Sequence, residues 1–221
     1  MEGQDRTAVL RRLKSLANPE NVAGMAKFGI NPKNTYGISI PELRKIGKEL
    51  GHSHRLALEL WASGIHEARI LACLIEDPNL VSPSQMDRWA EDFDSWDVCD
   101  QCCSNLFDKT PYAYRKAAEW SSRKEEFVKR AGFALMACLA VNDKTAIDRQ
   151  FIRFLKLIDE QSTDDRNFVK KSVNWALRQI GKRNQHLKNA AVATAKKIQN
   201  RQSKAAHWIA ADALRELTAS R

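Results

Sequence analysis

Several things are scarce in this sequence. No apolar run approaches bilayer-spanning length, so a transmembrane helix is not expected. The opening residues, Met1 to Thr7, lack the basic-then-apolar pattern of a signal peptide, so the expected location is cytoplasmic. There are only five cysteines, Cys73, Cys99, Cys102, Cys103 and Cys138. An odd number set in apolar helical patterns reads as reduced and structural rather than as a disulfide framework. Cys99 and Cys102 form a C-x-x-C, but no second Cys or His pair at zinc spacing accompanies it. No metal and no cofactor are therefore expected. Alternating apolar and polar residues, the mark of a half-buried strand, are missing, as are hairpin dipeptides. No stretch rich in Gly, Ser or Pro divides the chain, so residues 1–221 are expected to form one domain.

What is present is helical periodicity almost throughout. Val9, Leu10, Leu13, Leu16 and Ala17 recur at helix spacing between Thr7 and Ala17. Asn18-Pro19 ends that segment and opens a short one reaching Phe28. Residues 29–37 form the longest loop, after which Ser39 caps a helix with Pro41 and Glu42 in its first turn. Further helices are expected at about 53–63, 65–76, 84–93, 96–108, from Thr110-Pro111 onward, and at 125–141, 144–160, 165–181, 185–200 and 204–219. One helix pair recurs roughly every 35 to 40 residues, a rhythm that favours an all-α, HEAT-like helical-repeat solenoid of about five or six pairs. Stacked pairs curve, and the concave face of such a superhelix is the natural binding surface.

Acidic residues are scarce at one end. Residues 1–165 carry 23 Lys/Arg against 25 Asp/Glu, a net of −2. Residues 166–221 carry 13 Lys/Arg against only Asp212 and Glu216, a net of +11. So lopsided a distribution suggests a polyanionic partner, most simply nucleic acid, held by cations such as Lys170, Lys171, Arg178, Lys182 and Arg183.

One stretch, Asp94-Ser95-Trp96-Asp97-Val98-Cys99-Asp100, packs a large aromatic and several carboxylates together. In a helix Trp96 and Asp100 share a face. A carboxylate beside an indole suits a developing positive charge, since the indole offers an electron-rich face and excludes water. On the plainer reading Trp96 is core, and Asp94 and Asp97 cap a helix or face solvent. Arg130, among apolar and small residues, is either a buried ion-pair partner or a fork aimed at a carboxylate or phosphate. Trp175, flanked by Lys170, Lys171 and Arg178, is either a nucleic-acid contact or a core residue of a basic amphipathic helix. His66-Glu67-Ala68-Arg69 lies too far from a second ligand pair for zinc and reads as a polar contact between repeats.

Four of these stretches carry a family resemblance. Trp96-Asp97-Val98-Cys99-Asp100 resembles a W-x-x-x-D motif, and Arg130-Ala131 opens the later helix where the family has an arginine. Phe168-Val169-Lys170-Lys171 with Trp175-Ala176-Leu177-Arg178 resembles F-x-x-K-x-x-x-W-x-L-R. Gly37-Ile38-Ser39-Ile40-Pro41-Glu42-Leu43-Arg44 resembles an early G-[IV]-x-x-P-x-L-R. In order, over about residues 20–180, they resemble the DNA alkylation repair family, the AlkD-like HEAT-repeat DNA glycosylases.

The resemblance implies a monomeric enzyme that binds duplex DNA on its concave face. It would cleave the N-glycosidic bond of cationic alkylated purines such as 3-methyladenine and 7-methylguanine, without flipping the base into a pocket. Carried over by position, Asp100 stabilises the sugar cation and positions water. Trp96 and Trp175 pack against the deoxyribose, and Arg130 holds the backbone or Asp100. The chain departs from the pattern once: the family has a tyrosine just before the first loop, where residues 21–28 offer only Phe28 as an aromatic. The alternative is a HEAT-repeat protein that binds damaged or branched DNA without cutting it.

Overall fold

Small polar residues and prolines decide where the helices begin. A computed structural model describes residues 5–219. Seven helices start behind a side chain that accepts a hydrogen bond from an otherwise orphaned N–H: Asp5, Asn18, Ser39, Ser53, Ser82, Asn184 and Ser203. Pro19, Pro41 and Pro83 sit in first turns, where their missing N–H costs nothing.

The first helices are α1 (Arg6–Ser15), α2 (Pro19–Lys27), α3 (Ile40–Leu50), α4 (His54–Trp61), α5 (His66–Ile75), α6 (Pro83–Glu91) and α7 (Trp96–Asn105), with a 3-10 turn at Phe107–Lys109. The rest are α8 (Ala113–Ser121), α9 (Glu126–Asn142), α10 (Asp148–Gln161), α11 (Asn167–Gly181), α12 (Gln185–Gln199) and α13 (Lys204–Thr218). The described residues contain no strand, and none of their helices is long and apolar enough to cross a membrane. The all-α class read from periodicity is the class observed.

Several helix limits differ from the sequence reading by one to four residues, most of all at the start of α10. Residues 144–147 are not helical, because Asp143 Oδ1 captures the Thr145 and Ala146 N–H groups (3.1 and 3.0 Å) and the Thr145 hydroxyl (2.9 Å). An aspartate at such a position offers the backbone a local alternative to the helix. Helix α7 stops at Asn105 rather than near Asp108, where Leu106 leaves the helical region at φ −130°, ψ −62°.

The packing falls into two compact units that divide between Thr110 and Pro111. In the first, the core includes Trp61 stacked on Trp89 with ring centroids 4.0 Å apart, with Phe93 and Phe107 at the edges. Such a pair adds about 0.5–1.5 kcal/mol beyond the area it buries. In the second, α9 is buried continuously from Val128 to Ala140, as expected of a helix apolar on every side. Gly132 lets α8 approach it: a Cβ there would lie 2.6 Å from Ser121 N and 2.9 Å from the Trp120 carbonyl carbon.

Candidate functional site

The carboxylate-rich stretch around α7 is fixed by contacts within the first unit. Ser95, fully buried, precedes α7 but does not cap it; its Oγ accepts from the Asn31 N–H at 2.8 Å. Asp94 accepts from Asn31 Nδ2 at 3.0 Å and faces Arg69 Nη1 at 3.8 Å. Asp92 accepts from the Trp61 indole N–H at 2.8 Å, and its carbonyl accepts from Arg69 Nη1 at 2.8 Å. Asp97 Oδ2 lies 2.9 Å from His66 Nε2, on a histidine only 5% exposed. Asp94 and Asp97 are thus neither caps nor purely solvent-facing.

Burial pushes the His66 imidazole down, but Asp97, with Glu67 and Asp94 behind it, outweighs that and leaves its pKa above the ordinary value. The neighbouring Glu67 is fully buried and clamps the loop between α2 and α3. Its carboxylate accepts from the backbone N–H groups of Tyr36 (2.9 Å), Gly37 (2.6 Å) and Ile38 (3.3 Å). Gly37 adopts φ +77°, and a Cβ there would meet Asn18 O at 2.4 Å, so the clamped loop requires glycine at this point. These bonds make His66, Glu67 and Arg69 a set of polar contacts from α5 to the α2–α3 loop and to the residues around the start of α7.

On this frame α7 presents Trp96 and Asp100 one turn apart, both half-buried, while Val98, Cys99, Cys102 and Cys103 face the core. The Trp96 indole is anchored by its own N–H, which donates to the Phe28 carbonyl at 3.1 Å. Phe28, the lone aromatic where the resemblance calls for a tyrosine, caps the end of α2 and is 75% exposed. The five cysteines are free and buried. Burial first, then the neighbouring Cys73 and Cys99, push the Cys102 thiol up, which suits packing and not thiolate chemistry. Among the described residues no group of three or more His, Cys, Asp or Glu is placed to hold a metal ion.

In the second unit Arg130 is 6% exposed on α9, and its Nη1 donates to the Phe168 carbonyl at 2.7 Å in the first turn of α11. Beside it, buried Lys129 pairs with Asp164 at 2.9 Å. Burial opposes ionisation of Asp164, but hydrogen bonds from Arg166 and Lys129 hold its pKa at about 2. Trp175 is half-buried on α11, sharing a face with Lys171 and Arg178 by helical spacing.

The cations of the basic end are not equivalent. Arg178 and Lys182 both bind Glu216, and Arg178 Nε reaches Asp212 at 3.6 Å. Arg183 Nη1 donates to the Ala140 and Asp143 carbonyls (2.7 and 2.8 Å), closing the end of α9, with its guanidinium 4.2 Å from the centre of the Phe151 ring. Lys171 is exposed, and Lys170 lies 5.5 Å above the ring of Trp208. Trp208 itself, 41% exposed on α13, escaped the sequence reading. The available signal was Lys204 one turn before it on the same helix face.

Fold and site together define a helical-repeat protein with a basic C-terminal surface. Its all-helical fold matches that of a solved structure described as "A new family of proteins related to the HEAT-like repeat DNA glycosylases with affinity for branched DNA structures", with a TM-score of 0.80, 21% identity, and 95% of this chain and 94% of that chain covered. The chain belongs to the DNA alkylation repair enzyme family, whose model matches residues 9–217. It is also 26% identical over 127 residues to the uncharacterized protein Lin0241 of Listeria innocua serovar 6a (strain ATCC BAA-680 / CLIP 11262), covering 56% of this chain and 57% of that protein. The chain thus aligns with little more than half the length of that relative.

Proposed function

We propose that the protein is a DNA glycosylase that hydrolyses the N-glycosidic bond of cationic alkylated purines, such as 3-methyladenine and 7-methylguanine, in duplex DNA without base flipping. The observation that carries this reading is Asp100, half-buried one turn beyond the anchored Trp96 indole, in a chain of the DNA alkylation repair enzyme family. A cationic purine is already a good leaving group, so the reaction needs little acid catalysis. As the C1′–N bond breaks, the bonding pair leaves with the purine, which departs as a neutral base. Positive charge develops on the sugar, and a carboxylate held in a partly desolvated, preorganised place stabilises it. Water positioned by Asp100 then adds at C1′ and gives its proton to solvent. One carboxylate suffices, in contrast to the pair that O-glycosidases use. On this reading Trp96 and Trp175 pack against deoxyribose, Arg130 positions groups in the second unit, and Lys170 and Lys171 meet phosphates. Arg178, Lys182 and Arg183 add positive field while remaining tied to their own partners.

A second reading, binding of branched or damaged DNA without cleavage, is favoured by the described affinity of the structural neighbour and by Phe28 standing where the resemblance calls for tyrosine. Release of methylated bases from alkylated duplex DNA separates the two. Wild type releases 7-methylguanine, and Asp100→Asn loses on the order of a hundredfold or more in rate. DNA affinity stays nearly unchanged, because it rests on the basic C-terminal cations and not on Asp100. Equal release by Asp100→Asn overturns the site; no release by a DNA-binding wild type establishes the second reading.

A further inference from the structure

We infer that Trp208 is a stacking platform for an unpaired base of DNA, with Lys170 and Lys204 around it to receive the adjoining phosphates. The inference rests on the DNA-binding part of the reading above and extends it to a class of DNA structure. Three observations carry it. The protein has six tryptophans; Trp61, Trp89 and Trp120 are at most 4% exposed, Trp96 and Trp175 are half-buried, and Trp208 is 41% exposed. An indole left in water forgoes the burial that usually places it inside. Its surroundings are cationic: Lys170 Nζ stands 5.5 Å from the ring centre, and exposed Lys204 precedes it by one turn. Lys170 forms no ion pair with a carboxylate among the described residues. The one acid a turn beyond, Asp212, is engaged by Arg178 and Arg215. Finally, the platform is rigidly mounted. Asn174 of α11, 1% exposed, donates through Nδ2 to the Ile209 carbonyl at 3.1 Å, tying α13 to α11 beside the ring.

The chemistry selects the occupant. An exposed indole among lysines attracts a planar, electron-poor partner joined to negative charge, which describes a nucleobase on its phosphate backbone. A base inside a duplex offers neither face to an outside ring. Only a base with no stacking partner, at a flap, gap or branch, can lie on Trp208. Lysines set the salt dependence, while the ring sets the preference for unpaired structure.

The test uses the full chain and labelled DNA in fluorescence anisotropy: a blunt duplex, and the same duplex carrying a short single-stranded flap. Trp208→Ala weakens flap binding by on the order of five- to a hundredfold and changes blunt-duplex binding by about twofold or less. Trp208→Phe, which keeps a ring, retains most of the flap affinity. Lys170→Met lowers the salt slope on both DNAs by about one. Helical content by circular dichroism is unchanged in all three variants, since the altered side chains lie at the surface. Equal losses on both DNAs with Trp208→Ala, or no loss on either, overturn the inference while DNA binding stands. Trp208-dependent self-association in sedimentation, with flap binding untouched, overturns it in favour of a protein contact. A wild type that binds neither DNA overturns the DNA-binding reading and this inference with it.

Discussion

Replacing Glu67 by glutamine removes a charge without changing shape, and the structure sets what that costs. The carboxylate accepts three buried or part-buried backbone N–H groups. Oε1 accepts from all three, and the Tyr36 N–H is shared between Oε1 at 3.0 Å and Oε2 at 2.9 Å. In Glu67→Gln the amide oxygen keeps the Oε1 role, but the NH₂ group then points at the Tyr36 N–H, donor against donor. The buried NH₂ then lacks an acceptor, which costs about 1–3 kcal/mol, and three charge-assisted bonds become neutral ones, losing about half their strength. The expected loss is therefore about 2–4 kcal/mol in urea unfolding followed by tryptophan fluorescence. Hydrogen exchange at Tyr36, Gly37 and Ile38 accelerates more than exchange elsewhere, because the defect is local to the loop. Glu59→Gln is the control: its partner Arg55 is 91% exposed at 2.9 Å, so solvent screens the pair and little stability is at stake. A loss below about 1 kcal/mol for Glu67→Gln, with unchanged loop exchange, refutes the argument that this carboxylate holds the loop.

Three further outcomes follow from named contacts. Because the folded pKa of His66 is raised above 6.5, its pairing with Asp97 stabilises the fold fully below about pH 6.5 and is lost as pH rises through the folded value. His66→Gln should flatten that part of a stability-against-pH curve, and an unchanged curve would refute the pairing. Gly132→Ala forces a Cβ to within 3.0 Å of three α8 backbone atoms, so it should destabilise by roughly 1–3 kcal/mol in thermal unfolding despite alanine's better helix propensity. Lys171→Ala should weaken duplex binding with stability within about 0.5 kcal/mol of wild type, whereas Arg183→Met should lose about 1–3 kcal/mol of stability by unpairing the carbonyls that end α9.

The sequence by itself determined the helical class, most helix limits and the uneven charge, because these are written in local chemistry. A 3.6-residue apolar period, a capping serine or a first-turn proline acts within a few residues of itself. The pairing of Trp96 with Asp100 on one face is of the same kind, since it needs only that α7 be helical. Where a local competitor intervened, as Asp143 does before α10, the reading ran a helix too far. The family's four motifs were legible for the same reason, being runs within single helices or turns. What the cations do was not legible. Lys170, Lys171, Arg178, Lys182 and Arg183 look alike along the chain. Only the fold ties Arg178 and Lys182 to Glu216, spends Arg183 on the carbonyls that end α9, and sets Lys170 over Trp208. Likewise Glu67 and the loop it clamps lie about thirty residues apart, and nothing in either segment names the other. Such contacts are decided by which surfaces the packed helices bring together, and that depends on the whole apolar core at once.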